Sequence, residues 1–578
     1  MHAVDWMIVL LLNGAIIGYG FYLARGTSSS SDWFLGRRAL PWWAIGLSMF
    51  ATNVDNADLV SVTGKTYTEG LHLLTVYATG SALGGILASF YIVPAMYRAG
   101  FYTNAEYLEA RFGPAKSVLS ALIQLQYRSS MLGLIILSVH LLLTGLNIVD
   151  ATTSWALIVA IVICSGIYTA WGGLKSVVWT DALQSVVMMV GSVVIFVTLW
   201  QAAGGWSGTL EKLASRDARE GTHFTDLVHL GRFNGGSSES PYLVSWDGQT
   251  TDLAPYVVIM GWTIVGCGYW TVNHTQTMRL MGARSLWDMK MAATVGVALS
   301  LPLMIACACM GVMGRVLPGT EQLDHPDSLY PQLAREFLGV GLKGLVVAGV
   351  VAAAISTFDS MGSALSAIFT RDIYARLLVR GREDHHYVIV GRIATVIVLL
   401  SGFIYLPFIL MQRNMIDAFV TLIPVFVTPL FTMYVLGAMT RIHRRSGIIG
   451  LLCGSAYGMF ALYCRESRKI SWLPEVDQVP RWLTDHWAAF GWSLLITTGA
   501  MLVAHLVWTK IIQRGVAHDR AEPILEVEHE GWLARSSEEL PELREHPFAG
   551  DIPVWADPRI YAALLMALCI YVIFFLFW

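Results

Sequence analysis

Apolar runs of about twenty residues recur along the chain, parted by short turns that carry arginine, lysine, glycine or proline. A helix of that length crosses the hydrocarbon of a bilayer. About fourteen such spans are expected, starting near residues 5, 41, 71, 117, 150, 177, 252, 287, 342, 387, 412, 446, 487 and 559. The pattern predicts an all-α polytopic membrane protein. Its expected parts are an extra N-terminal helix and cytoplasmic loop over 1–40, a first five-helix block over 41–203 and an extracellular loop over 204–251. A second five-helix block over 252–439, two further helices over 440–511, a cytoplasmic linker over 512–558 and a last helix over 559–578 complete it.

The charges fix an orientation for these spans. Arg25, Arg37 and Arg38 follow the first span, Arg98, Arg111 and Lys116 the third, and Arg279, Arg284 and Lys290 the seventh. Arg371, Arg376, Arg380 and Arg382 follow the ninth, and Arg441, Arg444 and Arg445 the eleventh. All of these loops fall on one side, which predicts both termini outside. The first span has no basic residue before it and reads as an uncleaved helix, not a signal peptide. With 55% hydrophobic and only 14% charged residues, the chain lacks the polar surface to cover a soluble core. A net charge of −3 offers no polybasic face for nucleic acid. The expected partners are the lipid bilayer and a small-molecule solute; nothing in the sequence names a protein partner. Seven cysteines lie in or beside the apolar spans without metal or disulfide spacing and read as packing residues.

Interruptions of the apolar pattern carry the candidate chemistry. The ninth span contains Ala353-Ala-Ile-Ser356-Thr357-Phe-Asp359, two adjacent hydroxyls and a carboxylate in an apolar helix. With the Ala353 carbonyl one turn back on the same face, Ser356 and Thr357 offer a small hard cation three neutral oxygens, and sodium suits them. The same hydroxyls are equally suited to bonding back onto the preceding turn. Asp359, three residues past Ser356, is placed to tune the ion site electrostatically or to pair internally. The second span carries Ala51-Thr-Asn53-Val54-Asp55-Asn56-Ala-Asp58, a patch that a continuous lipid-facing helix would not tolerate. The seventh carries Gly261, Gly266 and Gly268 and then Tyr269-Trp-Thr-Val-Asn273. Interrupted helices at the start of each five-helix block point to the midplane site of an inverted-repeat transporter. Carbonyls freed at Ala51 and Val54 would join Ala353, Ser356 and Thr357 around one sodium ion.

At these residues the chain resembles the sodium:solute symporter family, and within it the sodium/glucose cotransporters, with sequence closeness greatest to bacterial sodium/galactose-type members. The resemblance covers essentially the whole chain. Beyond the ninth span its most specific element is Tyr168-Thr-Ala-Trp-Gly172-Gly173-Leu-Lys-Ser-Val-Val-Trp-Thr180-Asp181-Ala-Leu-Gln184, similar to the family's Gly-Gly-x-x-Ala-Val-x-x-Thr-Asp-x-x-Gln signature. It implies a LeuT-like core of two inverted repeats with alternating access, one extra helix before it and three after. It also implies a sodium site on Ala51, Val54, Ala353, Ser356 and Thr357, and a possible second sodium route at Asp181, which is equally placed to cap a helix or pair near Lys175. A bacterial inner membrane is the implied location, and transport without bond chemistry the implied activity.

Solute residues carry over less directly. The inner-gate tyrosine of sugar-carrying relatives falls on Tyr269, and the asparagine that bonds to it falls on Asn53. Where such relatives have a glutamine, a glutamate, an asparagine and a lysine, this chain has Asp58, Tyr77, Gly266 and Ser300. The pocket is therefore rebuilt. Asp58, Asn56, Tyr77 and Tyr269 suit a sugar or polyol. Arg128, beside Ser129 and Ser130 in the fourth span, either meets a substrate carboxylate or pairs with Asp55 or Asp58; relatives that carry acidic sugars have an arginine at the Ser130 position. The expected function is sodium-coupled import of a sugar or polyol, with a carboxylate or zwitterion as the alternative. A transporter-like membrane sensor is the rival of another class, disfavoured by a chain that ends at Trp578 in an apolar span. Gly339-Val-Gly341-Leu-Lys-Gly344 spells a dinucleotide fingerprint but opens a membrane helix and follows no strand.

Overall fold

The computed structural model describes residues 1–25, 30–220, 225, 243–244, 250–251, 255–320, 323, 325–412, 415–467, 479–485, 487–512, 544–548 and 550–576. Most of the acidic 512–558 linker, and most of the 204–251 segment past residue 220, lie outside the described residues. Strand structure among the described residues is confined to a two-residue antiparallel pairing of Leu243–Val244 with Thr250–Thr251 and a single bridge between Leu40 and Ala283. All else that is regular is helical, and the 204–251 segment itself opens with a helix over Gly205–Glu220.

The helices that frame the site are α1 (Ala3–Leu23), α2 (Trp42–Asn53), α3 (Asn56–Glu69), α4 (Pro114–Gly145) and α5 (Ala151–Ala203). They continue with α6 (Pro255–Val272), α7 (His274–Met281), α8 (Leu286–Gly314), α9 (Leu342–Ile368) and α10 (Asp384–Ser401). Among the described residues, eleven helices are long and apolar enough to cross a membrane, against the expected count of about fourteen. The difference lies in three places. The 53 residues of α5 far exceed one crossing, and the chain turns within it at Gly173, where φ is 61° and ψ is −172°. The α2–α3 pair is broken in the middle, so neither half has full length, and α6 contributes only a short apolar stretch over Val257–Val272.

Gly173 explains the Gly-Gly of the signature. Its positive φ suits glycine, and a Cβ there would stand 2.9 Å from the Trp33 backbone. The extra helix α1 is tied to α9 by Asp5, whose carboxylate accepts from the Gly341 and Gly344 amides at 2.7 and 3.0 Å and so serves donors that the first turn of a helix leaves unpaired.

Both predicted interruptions exist, and the second lies at the far end of the stretch that marked it. Helix α2 stops at Asn53 because Val54 is extended (φ −122°, ψ 100°). Helix α3 then restarts through a reciprocal capping box. The Asp55 carboxylate accepts from the Asp58 amide at 3.0 Å, and the Asp58 carboxylate accepts from the Asp55 amide at 3.1 Å. In the second block, α6 runs unbroken through Gly261, Gly266 and Gly268, and the break comes at Asn273, whose side chain caps α7 by accepting from the Thr275 amide at 3.1 Å. The glycines serve packing instead. A Cβ on Gly266 would lie 2.4 Å from the Gly80 carbonyl carbon, and one on Gly84 would lie 2.8 Å from the Cys267 Cα.

Candidate functional site

The break in α2–α3 meets the middle of α9. The Ser356 hydroxyl donates to the Ala51 carbonyl at 3.1 Å and stands 2.9 Å from the Ala353 carbonyl, on which the Thr357 hydroxyl also rests at 3.0 Å. These four residues are buried. Both hydroxyls thus bond back to the preceding turn, and the carbonyls they lie on are the ones that would share an ion with them. The oxygens are neutral, hard and contributed by both blocks, a donor set that fits sodium. Val54 is placed at the break itself, and its extended backbone ends the α2 ladder.

A cavity opens on the other side of the break. Asn53, Asp55, Asp58, Tyr77, Arg128 and Tyr269 line it, with apolar walls that include Trp262 and Phe419. About 80 Å³ is open to the centres of water-sized molecules, room for several waters. Asp58 does double work: one carboxylate oxygen holds the capping box, and the other accepts from the Tyr77 hydroxyl at 2.5 Å. Asn56 does not reach the cavity. Its amide is fully buried and donates to the Ile135 carbonyl at 3.2 Å and to the Ser138 hydroxyl, which pins the start of α3 to α4.

The expected latch between Asn53 and Tyr269 is not made. Asn53 donates to the Ser300 hydroxyl of α8 at 2.8 Å. The Tyr269 hydroxyl instead donates to the Thr52 carbonyl at 2.8 Å and accepts from the Gln276 side chain at 3.0 Å. Tyrosine thus joins the two helix breaks through a carbonyl in the last turn of α2, a group that helix ends leave free. Ser300 thus takes the Asn53 amide that the latch would have used.

Arg128 does not pair with Asp55 or Asp58. Its Nη2 donates to Thr275 at a long 3.4 Å, while Nε and Nη1 are buried without a hydrogen-bond partner. The guanidinium carbon lies 5.6 Å from the centre of the Tyr269 ring and 5.8 Å from that of Tyr127. Asp181, the candidate for a second sodium, is paired with Arg279 of α7 and not with Lys175. The Nη2···Oδ2 distance is 2.8 Å with both side chains fully buried, and Ser48 donates to the same oxygen at 2.7 Å. Ser360 is bonded to both members of the pair. Asp359 bonds to other residues of α5, with Ser165 and Thr169 donating to its Oδ1 at 2.6 and 2.7 Å.

Arg279, Gln276, Ser48 and Ser360 are site residues that the sequence reading missed. Arg279 stands in sequence among the basic residues that follow the seventh span, but it lies on α7, which resumes at His274. A signal was present in Ser48 and Thr52, which stand four apart on α2 and mark a hydroxyl stripe on one face. Thr52 in turn lies 3.0 Å from the Ser360 hydroxyl.

A sequence model described as the sodium:solute symporter family matches residues 33–454. The chain is 28% identical over 432 residues to a sodium/glucose cotransporter of Vibrio parahaemolyticus, covering 70% of this chain and 75% of that one. It is 25% identical over 488 residues to sodium/myo-inositol cotransporter 2 of Bos taurus, covering 80% and 70%. Among solved structures, a sodium-coupled sialic acid symporter in a substrate-bound outward-open state superposes with a TM-score of 0.68 at 18% identity, covering 87% of this chain and 98% of that one. Mhp1, a nucleobase-cation-symport-1 family transporter, superposes with a TM-score of 0.53 at 12% identity, covering 90% and 100%.

Proposed function

The chain belongs to the sodium:solute symporter family, and from that premise we propose that it imports a sugar or polyol together with sodium, by alternating access across a bacterial inner membrane with both termini outside. Blocks 41–203 and 252–439 are read as the two inverted repeats. Sodium is a co-substrate in this scheme. Ala51, Val54, Ala353, Ser356 and Thr357 hold it, so that the ion joins the broken helix α2–α3 to α9. The observation that carries the reading is the bond from Ser356 to the Ala51 carbonyl, which brings oxygens of both blocks together.

Coupling follows from where the ion sits. A cation bound at the break stabilises the geometry of Val54–Asp58, and Asp55, Ala57 and Asp58 of that stretch line the cavity. Sodium therefore raises solute affinity by favouring the conformation in which the cavity is formed, and by linkage the solute raises sodium affinity equally. Each carboxylate oxygen of Asp55 and Asp58 has two lone pairs, so one hydrogen bond per oxygen leaves capacity for solute hydroxyls. Trp262 and Phe419 supply an apolar wall for a ring. Arg279 already places a positive charge on Asp181, so one sodium per cycle is the proposed stoichiometry.

A second reading has one observation in its favour. The buried Nε and Nη1 of Arg128 lack partners, and a solute carboxylate on either edge of the guanidinium would satisfy one of them. With two acids beside it, the cavity then suits a zwitterion. A thermal-shift screen of polyols, sugars, organic acids and amino acids, each in sodium and in potassium, separates the two readings. The expected result is a polyol or sugar that stabilises only in sodium. Uptake of that solute into vesicles holding the purified chain excludes a sensor that moves nothing. Ser356→Ala combined with Thr357→Ala is expected to abolish the sodium effect; unchanged sodium dependence in that variant refutes the site.

A further inference from the structure

The stretch that leads into the final helix (Pro558–Tyr571) is bound to the start of α8. The Arg544 and Glu545 carbonyls accept from the Leu286 and Trp287 amides at 3.1 and 2.9 Å, donors that the first turn of a helix leaves unpaired. The Trp287 indole N–H donates to the Ala556 carbonyl at 2.7 Å. Trp287 is thus gripped by both ends of a strap over 544–556. Between those ends Phe548 stands edge-on to the Trp287 ring, centroids 5.5 Å apart, and meets Trp555 in the same manner at 6.5 Å. Trp42, the first residue of α2, stands edge-on to Trp287 at 6.3 Å. Together with Phe548 and Ile552 it packs on the cluster of Trp287, Met291 and Ala556. The Trp42 amide also donates to the Asp288 carboxylate at 3.1 Å. An ion pair of Arg98 with Glu545 at 3.3 Å is exposed and adds little. Backbone carbonyls and aromatic rings hold the strap.

Helix α2 is a half-helix of 12 residues whose ladder ends at the extended Val54. It therefore tilts as a short lever about the break, with Trp42 at one end and Ala51 at the other. Tilting it out of the core at the Trp42 end strips Trp42 from the aromatic cluster and also parts the Ala51 carbonyl from Ser356 of α9. We propose that the 544–556 strap clamps the cytoplasmic end of α2 against α8 and so sets how readily the cytoplasmic side opens, sodium and strap each strengthening the hold of the other. The proposal rests on the sodium site and the alternating access read above. With the strap docked, Phe548 and Ile552 complete the cluster on which Trp42 rests; with it released, the Trp287 indole loses its acceptor and the cluster loses two of its side chains. Sodium at Ala51 and the strap at Trp287 favour the same seated position of α2. Two groups that bind one conformation raise each other's affinity by the same factor, and the strap acts as a ligand supplied by the chain itself.

The test uses the purified full chain with two readouts. One is the rate of trypsin cleavage after Arg544, whose carbonyl is engaged only while the strap is docked, measured by mass spectrometry relative to cleavage after the exposed Arg382. The other is the sodium concentration that raises the melting temperature half-maximally. For the unaltered chain, sodium in place of potassium is expected to slow cleavage after Arg544 by about fivefold or more. Phe548→Ala removes the ring held against Trp287 and is expected to speed that cleavage and to raise the half-maximal sodium concentration, each by roughly two- to tenfold. Cleavage that does not differ between sodium and potassium overturns the proposal. So does a Phe548→Ala chain that is cut faster with its sodium affinity unaltered, since the strap is then a tether and no more, and so does one that is cut no faster. Should Phe548→Ala give no cooperative melt, Trp287→Phe decides: it keeps a ring in the cluster and deletes only the N–H that reaches Ala556, and unchanged values of both readouts overturn the proposal. Failure of the sodium reading looks different. A sodium rise in melting temperature that survives Ser356→Ala with Thr357→Ala sinks the site, and no rise at all in the unaltered chain sinks both readings. A normal rise beside sodium-independent cleavage sinks the strap alone.

Discussion

The two helix breaks do the same topological work with different chemistry. Between α2 and α3 the chain is restarted by two carboxylates that cap each other's amides, both facing the cavity. Between α6 and α7 it is restarted by a neutral amide, Asn273, and the charge of that region is carried by Arg279, which is buried against Asp181. The first break thus exposes its charge to whatever enters the cavity, and the second has its charge satisfied within the protein. Solute selectivity is expected to reside at the first and structural integrity at the second. The two are joined by the Tyr269 hydroxyl on the Thr52 carbonyl.

Removing Asp58 tests the comparison most severely. Asp58→Ala deprives the Asp55 amide and the Tyr77 hydroxyl of their acceptor at once, and each orphaned buried donor costs about 1–3 kcal/mol. The expected loss is about 2–4 kcal/mol in thermal or denaturant unfolding of the purified chain, with solute binding abolished. Retained solute-dependent stabilisation in this variant would place selectivity elsewhere than the first break. Next in size is Gly266→Ala. Its Cβ meets the Gly80 backbone, which has no flexible end to yield, and overpacking of this kind costs about 1–3 kcal/mol. Gly261→Ala meets only the ring carbons of Trp487 and Phe490 first, at 3.1 and 3.2 Å, and is expected to be milder. Equal melting temperatures for the two would argue against close backbone approach as the role of Gly266.

These glycines mark where sequence reading succeeds and where it stops. The first break was legible because Asp55, Asn56 and Asp58 are polar side chains set in an apolar run, and only an unwound or capped segment accommodates them there. The second was bracketed only broadly, between Gly261 and Asn273, because glycine has two uses that spell alike, conformational freedom and close approach. Only the position of Gly80 opposite Gly266 tells them apart. Ser356, Thr357 and Ala51 were legible together since their chemistry is local and neutral. Partner choice was not. Asn53 has Ser300 and Tyr269 within the range of plausible acceptors, Asp181 has Lys175 six residues before it and Arg279 far along the chain, and hydrogen-bond direction across helices is set by packing that no spacing encodes.

Smaller in effect is Asn273→Ala. It removes the cap of α7 without orphaning a charge, and loss of such a cap costs about 0.5–2 kcal/mol. Solute affinity is expected to change little relative to Asp58→Ala. A loss of solute binding as complete as that of Asp58→Ala would erase the division of labour between the two breaks.

The mildest change addresses the link itself. Tyr269→Phe keeps the ring beside Arg128 and deletes only the hydroxyl, so the Thr52 carbonyl loses a donor and the Gln276 amide an acceptor. A net hydrogen-bond contribution of about 0.5–1.5 kcal/mol is lost, which shifts a two-state conformational equilibrium by roughly two- to twelvefold. Because the bond ties α2 to the second break, the shift is expected to appear as faster solute release or a weaker sodium-dependent rise in melting temperature, with overall folding unaltered. Gln276→Ala serves as its partner in a double-mutant cycle: if the tyrosine works by bridging, the two changes are non-additive, since either one dissolves the same bridge. Strict additivity, with sodium dependence intact in both single variants, would leave Tyr269 a wall of the cavity and the two breaks mechanically independent.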